Sequence, residues 1–191
     1  LDALRLPNKP LKIINNKEMI LHVYEAAKKT NTGDVYVATP DQKIIDVITN
    51  NGGKAVLTSL NHQTGTDRIY EVFKKELRNE PNIIINLQGD MPNIDPQAIT
   101  DLVSYMNKNV CDIGTLATLA SSFSSNVELS NENNVKVAVK EKIDTNNFGE
   151  ATDFFRTSSN IYKNIYHHIG IYAFTREALV RYVSLERSKL E

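Results

Sequence analysis

The chain has 191 residues, 41% of them hydrophobic, and its formal net charge is −1 at pH 7. That length is enough for one sizeable α/β domain with its own core. The small net charge gives no whole-protein field that would draw nucleic acid or an anionic membrane to the chain. No stretch approaches the ~20 apolar residues of a membrane span, and no secretory signal peptide is visible. We therefore predict neither a nucleic-acid partner nor a membrane partner.

The sequence contains a single cysteine, Cys111. One cysteine excludes an internal disulfide framework and predicts a reducing compartment, here the cytoplasm. Cys111 lies in the apolar run 110–119, which favours a small buried side chain over a nucleophile.

Helix and strand patterns alternate through the first two-thirds of the chain. The periodicity of apolar residues predicts helices over 19–29, 42–50, 66–78 and 96–108, and strands over 34–38, 54–58, 82–87 and 111–119. The run 82–87 is almost continuously apolar, as in a strand buried on both faces of a parallel sheet. The alternation predicts a doubly wound, mostly parallel central sheet with helices on both faces and with ligands at the carboxyl ends of its strands.

The pattern changes after residue 120. Residues 121–126 are polar and resemble a loop, and 135–140 alternate as in a half-exposed antiparallel strand. A further strand is predicted over 169–174 and a helix over 177–183. We interpret this part as a mixed extension of the same sheet with a subdomain.

A basic segment near the start holds Arg5 and Lys9 on either side of Pro7. Proline disfavours an ordinary helix there. Arginine binds phosphate oxygens bidentately and lysine adds a compact charge, so the segment suits a polyphosphate. A solvated basic loop is the alternative.

A second segment runs from His62 to Arg68 and contains Thr64, Gly65 and Thr66. A glycine between hydroxyl residues lets the backbone approach a ligand closely. Because a helix is predicted to start here, a plain N-cap at Thr66 or Asp67 is the competing interpretation.

The segment Gln88-Gly89-Asp90 directly follows the most buried predicted strand. A carboxylate at the ligand edge of a sheet suits Mg²⁺, which prefers oxygen ligands. A turn aspartate is the alternative, but the position at the end of this strand favours a metal ligand.

The fourth segment, 167–172, begins with two histidines. On a strand, His168 and Tyr172 would share one face and are joint candidates for a pocket wall. A half-buried sheet face explains the pattern equally well. No cysteine or carboxylate lies nearby at zinc-ligand spacing, so a closed zinc site is not predicted.

These four segments occur in the order and approximate spacing of the 3-deoxy-manno-octulosonate (Kdo) cytidylyltransferase family, which the chain resembles over its whole length. The resemblance implies a Rossmann-like nucleotidyltransferase fold, a homodimer, and one nucleotidyltransferase domain over 1–191 with a sugar-binding and dimerisation subdomain at 121–175. It implies transfer of CMP from CTP to Kdo with release of diphosphate, for lipopolysaccharide biosynthesis.

The resemblance also implies roles for single residues. Arg5 and Lys9 would bind the triphosphate, and Asp90 would be a catalytic Mg²⁺ ligand. The remaining nucleotide-binding positions would be Thr64, Gly65, Thr66, Arg68 and Gln88. The sugar-binding positions would be Gln88, Arg156, His168 and Tyr172, with Arg156 on the sugar carboxylate. Positioning and charge neutralisation are what such a transfer requires of a protein.

The sequence departs from the family pattern in a few places. Met91 stands where the family usually has glutamate, Leu4 replaces a hydroxyl residue, and 157–160 replace an Ile-Pro element. The family also leads us to expect a first strand before Leu1, and a helix and a second metal-binding aspartate after Glu191, so a fragment with reduced activity is expected.

Three other functions compete with this interpretation. One is a cytidylyltransferase acting on sialic acid, and another is a nucleotide-binding relative without catalytic activity, which Leu4 and Met91 motivate. An NAD-binding domain is the third, and the absence of a Gly-x-Gly-x-x-Gly fingerprint argues against it.

Overall fold

The computed structural model describes residues 8–78, 80–109, 115–144, 147–158 and 160–186. The chain divides into two compact units: unit 1 comprises 1–117 and 172–191, and unit 2 comprises 118–171. Among the residues singled out in the sequence, Leu4, Arg5, Pro7 and Cys111 lie outside the described residues.

The elements follow one another along the chain, starting with a single 3-10 turn. In order they are the 3-10 turn Lys9–Leu11, β1 Ile13–Ile14, β2 Lys17–Glu18, α1 Met19–Lys29, β3 Tyr36–Thr39, α2 Gln42–Asn50, β4 Lys54–Leu57, α3 Gly65–Lys75, β5 Ile83–Asn86, α4 Pro96–Asn109, β6 Leu116–Ser121, α5 Asn126–Ser130, β7 Lys136–Val139, β8 Ala151–Phe155, β9 Ile165–Thr175 and α6 Arg176–Ser184. None of the described helices is long and apolar enough to cross a bilayer.

Local signals account for the helices that the sequence predicted. α2 starts after Asp41, whose carboxylate accepts a hydrogen bond from the backbone N–H of Lys43 at 2.9 Å. Its end is followed by Gly52 at φ 72, a conformation that costs glycine little. The predicted bounds of α1 and α2 are confirmed.

Two apolar clusters lie among the described residues of unit 1. In one, Phe73 of α3 and Ile84 of β5 pack with Phe174 of β9 and with α6. In the other, α1 packs on α2, with Ile48 at its centre and fully buried. In the second cluster α2 contributes Ile44 and Ile48, which lie on one side of the helix because they are four residues apart.

The strand pairings of unit 1 correct one prediction. β3 and β4 are parallel, as expected, but β5 runs antiparallel to the C-terminal half of β9. β3–β4 is the one parallel pairing among those whose direction is described, so the predicted mostly parallel central sheet is wrong. A strand covered by helices has a continuous apolar sequence in either orientation. The run 82–87 therefore indicates that the strand is buried but does not indicate in which direction it runs.

The strands of unit 2 correct a second prediction. β7 pairs antiparallel with β8 and with the N-terminal half of β9. All four of its residues are buried, so the prediction of a half-exposed strand is wrong, although the antiparallel pairing is confirmed. Lys136 produced the polar half of the alternation, yet its side chain is enclosed.

Some short elements had weak sequence signals. β1 and β2 form a hairpin whose turn is Asn15-Asn16, at φ 47 and 62. Asparagine tolerates this left-handed conformation, and two such residues in succession are typical of a tight hairpin. α5 lies at the end of a stretch that we predicted as a loop, and β8 was not predicted.

Candidate active site

The end of β5 in unit 1 carries a relay of side-chain amides. Asn86, the last residue of β5, is almost fully buried and donates from Nδ2 to the Thr66 hydroxyl at 3.1 Å. Its Oδ1 accepts from Nε2 of Gln88 at 2.9 Å. Two of the segments that the sequence singled out, 62–68 and 88–90, are therefore joined through a residue that we did not assign to the site.

The first turn of α3 is fixed by a capping box. The hydroxyl of Thr64 accepts from the backbone N–H of Asp67 at 3.2 Å, and the Asp67 carboxylate accepts from the backbone N–H of Thr64 at 3.1 Å. An N-cap is therefore present in this segment, but it is Thr64 and not the predicted Thr66 or Asp67. A β-carbon on Gly65 would lie 3.4 Å from the Gln88 amide nitrogen. The missing side chain at Gly65 therefore leaves room beside Gln88.

Arg68 is buried in unit 1 instead of extending into solvent. It is 6% exposed, and its Nη1 donates to the Thr58 hydroxyl at 2.5 Å and to the Ser59 carbonyl at 2.9 Å. Burial lowers the pKa of the guanidinium, and Glu71 opposes this shift. Arg68 thus ties α3 to the segment after β4.

Glu71 anchors the same loop and was missed in the sequence. Its carboxylate accepts from Lys75, from the backbone N–H of Ser59 at 2.9 Å and from the ring of His62. The Lys75 hydrogen bond is the main cause that lowers the Glu71 pKa to about 2, followed by those from Ser59 and His62. A glutamate one helical turn before lysine was the available signal.

Lys9 and Asp90 form an ion pair in unit 1, with Nζ and Oδ2 2.7 Å apart. Their side chains are 33% and 47% exposed, so the pair is open to solvent and can exchange partners at little cost. Within the described residues no group of three or more His, Cys, Asp or Glu is arranged to hold a metal ion. Asp90 therefore offers one carboxylate ligand.

A cleft of about 840 Å³ lies beside the end of β5, and all of its lining residues belong to unit 1. Its walls include β3 and β5, and Gly65, Arg68 and Gln88 are among the residues that line it. Asn8 and Gly89, the neighbours of Lys9 and Asp90, also line it. The volume is in the range of small-molecule sites, and a largely apolar cleft with a few polar groups is their usual character.

In unit 2, His168 sits in a partly apolar setting. Its Nε2 lies 3.0 Å from the Thr118 hydroxyl, and its ring meets the edge of the Phe154 ring at 5.0 Å. Burial, with a smaller contribution from His167, lowers the pKa of His168. The ring is therefore neutral at neutral pH, when one ring nitrogen donates a hydrogen bond and the other accepts one.

Arg156 follows β8 and is exposed. Its Nη1 donates to the Asn133 carbonyl at 2.7 Å and, more weakly, to the Glu132 carbonyl at 3.4 Å. The Arg156 carbonyl in turn accepts from Lys136, a buried cation that was not among the predicted site residues. One side of the guanidinium is thereby fixed to the protein.

Tyr172 lies on β9 in unit 1, directly opposite Asn86 of β5. Its ring packs against the cluster that contains Phe174, at a centroid distance of 6.3 Å, and burial raises the pKa of its phenol. Since His168 belongs to unit 2 and Tyr172 to unit 1, the shared pocket wall stays a prediction.

Similarity to known proteins covers nearly the whole chain. A family model described as Cytidylyltransferase matches residues 1–191. The chain is 37% identical over 188 residues to an 8-amino-3,8-dideoxy-manno-octulosonate cytidylyltransferase of Shewanella halifaxensis, covering 98% of this chain and 76% of that protein. It is 37% identical over 190 residues to a 3-deoxy-manno-octulosonate cytidylyltransferase of Bartonella bacilliformis, with the same shares covered.

A solved structure supports the same grouping. A CMP:2-keto-3-deoxy-manno-octonic acid synthetase complexed with CTP is 37% identical to this chain. It superposes with a TM-score of 0.80, and the match covers 96% of this chain and 74% of that one. The α/β nucleotidyltransferase-like fold predicted from the sequence is thereby confirmed, apart from the strand directions corrected above.

Proposed function

The chain belongs to the cytidylyltransferase family, and from that premise we propose that it transfers CMP from CTP to Kdo and releases diphosphate. The observation that carries the proposal is the relay from Gln88 through Asn86 to Thr66, beside the open side of Gly65. These amide and hydroxyl groups lie at the end of β5, where they can form hydrogen bonds with a nucleotide.

The nucleotide would be bound by unit 1. Thr64, Gly65 and Thr66 would contact the cytidine, with Gln88 donating or accepting at its amide. Arg68 lines the same cleft, and its hydrogen bonds to the segment after β4 would brace the loop in the conformation that CTP needs. A loop fixed before the ligand arrives loses little conformational entropy on binding.

The triphosphate would be bound by Lys9 and Arg5. Lys9 forms an exposed salt bridge with Asp90. Because the pair is open to solvent, a polyphosphate could take the place of Asp90 as the partner of Lys9. Asp90 would then be released from Lys9 to ligate Mg²⁺. A single carboxylate is compatible with this metal, which is often held by one or two carboxylates together with substrate phosphates. The ion would supply charge neutralisation on the phosphate oxygens.

In unit 2 the sugar acid would be bound by Arg156 and His168, and Gln88 and Tyr172 of unit 1 stay candidate sugar-binding positions. Arg156 would take the carboxylate, and neutral His168 would take a hydroxyl. In the reaction the anomeric hydroxyl of the sugar attacks the α-phosphorus of CTP, the bond to the β-phosphate breaks, and diphosphate leaves. These residues would hold the sugar in line for that attack, which is the main contribution that such a transfer needs.

Assembly and setting are further parts of the proposal. We propose a homodimer through the 121–175 subdomain, in the cytoplasm, acting in lipopolysaccharide biosynthesis. Phe148, Phe154 and Ile161 of unit 2 are exposed, and such an interface would cover apolar side chains of this kind. Sedimentation of the purified protein should then give the mass of two chains.

The direct test is diphosphate release with CTP, Mg²⁺ and an acidic sugar. We expect release with Kdo, none with ATP or UTP, and none without sugar. The 8-amino-3,8-dideoxy analogue should be compared with Kdo, because relatives named for each sugar are equally similar to this chain. N-acetylneuraminate tests the sialic acid alternative. CTP binding without release for any of these acids would instead identify a non-catalytic relative.

A further inference from the structure

Lys136 occupies an unusual position for a lysine. It is only 4% exposed, on β7, which has a paired strand on each side. Its direct neighbours across the strands are Phe155 and His167. Burying an ammonium group is unfavourable unless the group is satisfied, and an apolar residue would usually fit such a strand at least as well. The presence of lysine therefore has to be explained by what its ammonium binds.

The ammonium joins two separate backbone segments of unit 2. Nζ of Lys136 donates to the carbonyl of Asn131 and to the carbonyl of Arg156, each at 2.7 Å. Both acceptors are neutral, and within the described parts of the chain no carboxylate forms an ion pair with Lys136. The lysine thus links the turn after α5 to the residue after β8.

Arg156 is held by the same turn through its side chain. Its Nη1 donates to the carbonyls of Asn133 and Glu132, and the turn is closed by the backbone N–H of Asn134 on the Asn131 carbonyl at 3.1 Å. Lys136 therefore fixes the backbone of Arg156 directly and its guanidinium indirectly, through the turn. Removing the ammonium would take away one anchor of the Arg156 backbone and one anchor of the turn.

The remaining donors of Arg156 have the geometry for an anion. Among the described residues, the acceptors of its guanidinium are the two carbonyls on Nη1. The edge formed by Nε and Nη2 is the side-on edge that binds a carboxylate with two parallel hydrogen bonds. Because Nη1 is bound to the turn, the position of the turn sets the direction in which this edge faces.

We propose that Lys136 is a positioning residue that orients Arg156 for the carboxylate of the acidic sugar. The inference rests on the proposed function, because it takes the sugar acid as the ligand of Arg156. Lys136 itself does not touch the sugar. Neither cation has a carboxylate partner within the described residues, so an anionic ligand would complement the guanidinium of Arg156.

The first experiment is steady-state kinetics of the full protein with Lys136→Met, which keeps a long apolar stem and removes the ammonium. We expect the KM for Kdo to rise roughly ten- to hundredfold, because misplaced substrate-binding groups carry penalties of that order. The KM for CTP should stay the same. Val137→Ala is the matched control: it loosens an equally buried neighbour on the same strand without touching the hydrogen bonds to Asn131 and Arg156.

Three outcomes separate positioning from mere stability. Positioning predicts that only Lys136→Met changes the KM for Kdo, even if both variants lower the Tm. It also predicts that Lys136→Met adds little in an Arg156→Ala background, since one residue acts through the other. An equal rise in Val137→Ala, or full additivity with Arg156→Ala, would overturn it.

A milder variant keeps the test decisive if Lys136→Met does not fold. Lys136→Gln is neutral but retains two N–H donors, and we expect a smaller rise in the KM for Kdo. An active wild type with an unchanged KM for Kdo in this variant, within about twofold, would overturn the positioning role alone. A wild type that releases no diphosphate with CTP and any octulosonate acid would overturn the proposed function instead.

Discussion

Arg68 in unit 1 and Arg156 in unit 2 use the same group in opposite settings. Each anchors one nitrogen, Nη1, on the protein: Arg68 on Thr58 and Ser59, and Arg156 on the turn that contains Asn133. Arg68 is buried, whereas Arg156 is exposed. In unit 1 the arginine mainly braces the loop that faces the cleft, while in unit 2 the arginine keeps one edge for a ligand.

The difference shows how burial divides the work of cations. A buried guanidinium is costly to desolvate and is retained where its hydrogen bonds hold several segments together. An exposed guanidinium contributes little to stability, so its value lies in what it binds. Changes at Arg68 should therefore affect stability and the nucleotide together, whereas changes at Arg156 should affect the sugar alone.

The largest effect is expected from Asp90→Ala in unit 1. Losing the carboxylate should lower Mg²⁺-dependent kcat at least roughly 100-fold, as is typical when one group that stabilises transition-state charge is removed. Stability should change little, because the Lys9–Asp90 pair is exposed. Lys54→Ala is the matched control, since it removes an ion pair of similar length, with Asp34, in the same unit. Turnover that is unchanged in Asp90→Ala would exclude Asp90 from the metal site.

The next effect is expected from Arg156→Ala in unit 2. The KM for Kdo should rise roughly 10- to 100-fold, which corresponds to losing hydrogen bonds to a charged group. The KM for CTP and the Tm should stay near wild type. Lys163→Ala removes an exposed cation from the same unit and controls for general charge. If Arg156→Ala raised the two KM values equally, the contrast between the units would be wrong.

A smaller effect, on stability, is expected from Arg68→Met. The buried Thr58 hydroxyl and the partly buried hydrogen bond to the Ser59 carbonyl lose their donor, so the free energy of unfolding should fall by about 1–3 kcal/mol. The KM for CTP should rise, because the loop that lines the cleft is loosened. Urea denaturation measures the first quantity. Unchanged stability with a raised KM for CTP would mean that Arg68 contacts the nucleotide and braces nothing.

The smallest effect concerns pH and Glu71. Its pKa is lowered to about 2 in the folded protein, so its contribution to stability is complete above the unfolded value of about 4.5. That contribution is lost as the pH falls from there towards 2. Glu71→Gln should therefore flatten the decline in Tm across this range. A decline as steep as in wild type would assign the acid sensitivity to other groups.

The sequence allowed most of the fold to be predicted where one local signal dominated. α1 and α2 have clear apolar faces, and their predicted bounds match the structure. The direction of β5 could not be predicted, because burial on both faces leaves the same sequence in either orientation. Lys136 led to the prediction that β7 is half-exposed. Its hydrogen bonds to the carbonyls of Asn131 and Arg156 leave no signal in the neighbouring sequence.

The candidate site was predicted in its composition but not in its connections. The family resemblance pointed to Gln88 and Thr66, yet Asn86, which joins them, reads as the end of a strand. Lys9 and Asp90 were assigned to different ligands, and their ion pair spans most of unit 1 in sequence. Contacts between residues so far apart in the chain depend on packing, which no local pattern contains.

Hydrogen exchange with each substrate would test the division between the units most directly. The α,β-methylene analogue of CTP blocks the bond that breaks, so binding can be followed without turnover. We expect the analogue to slow exchange over 62–68 and 86–90 of unit 1, and subsequent addition of Kdo to slow exchange over 131–134 and 154–156 of unit 2. Protection of the unit 2 segments by the nucleotide alone, or no further protection by Kdo, would contradict the account.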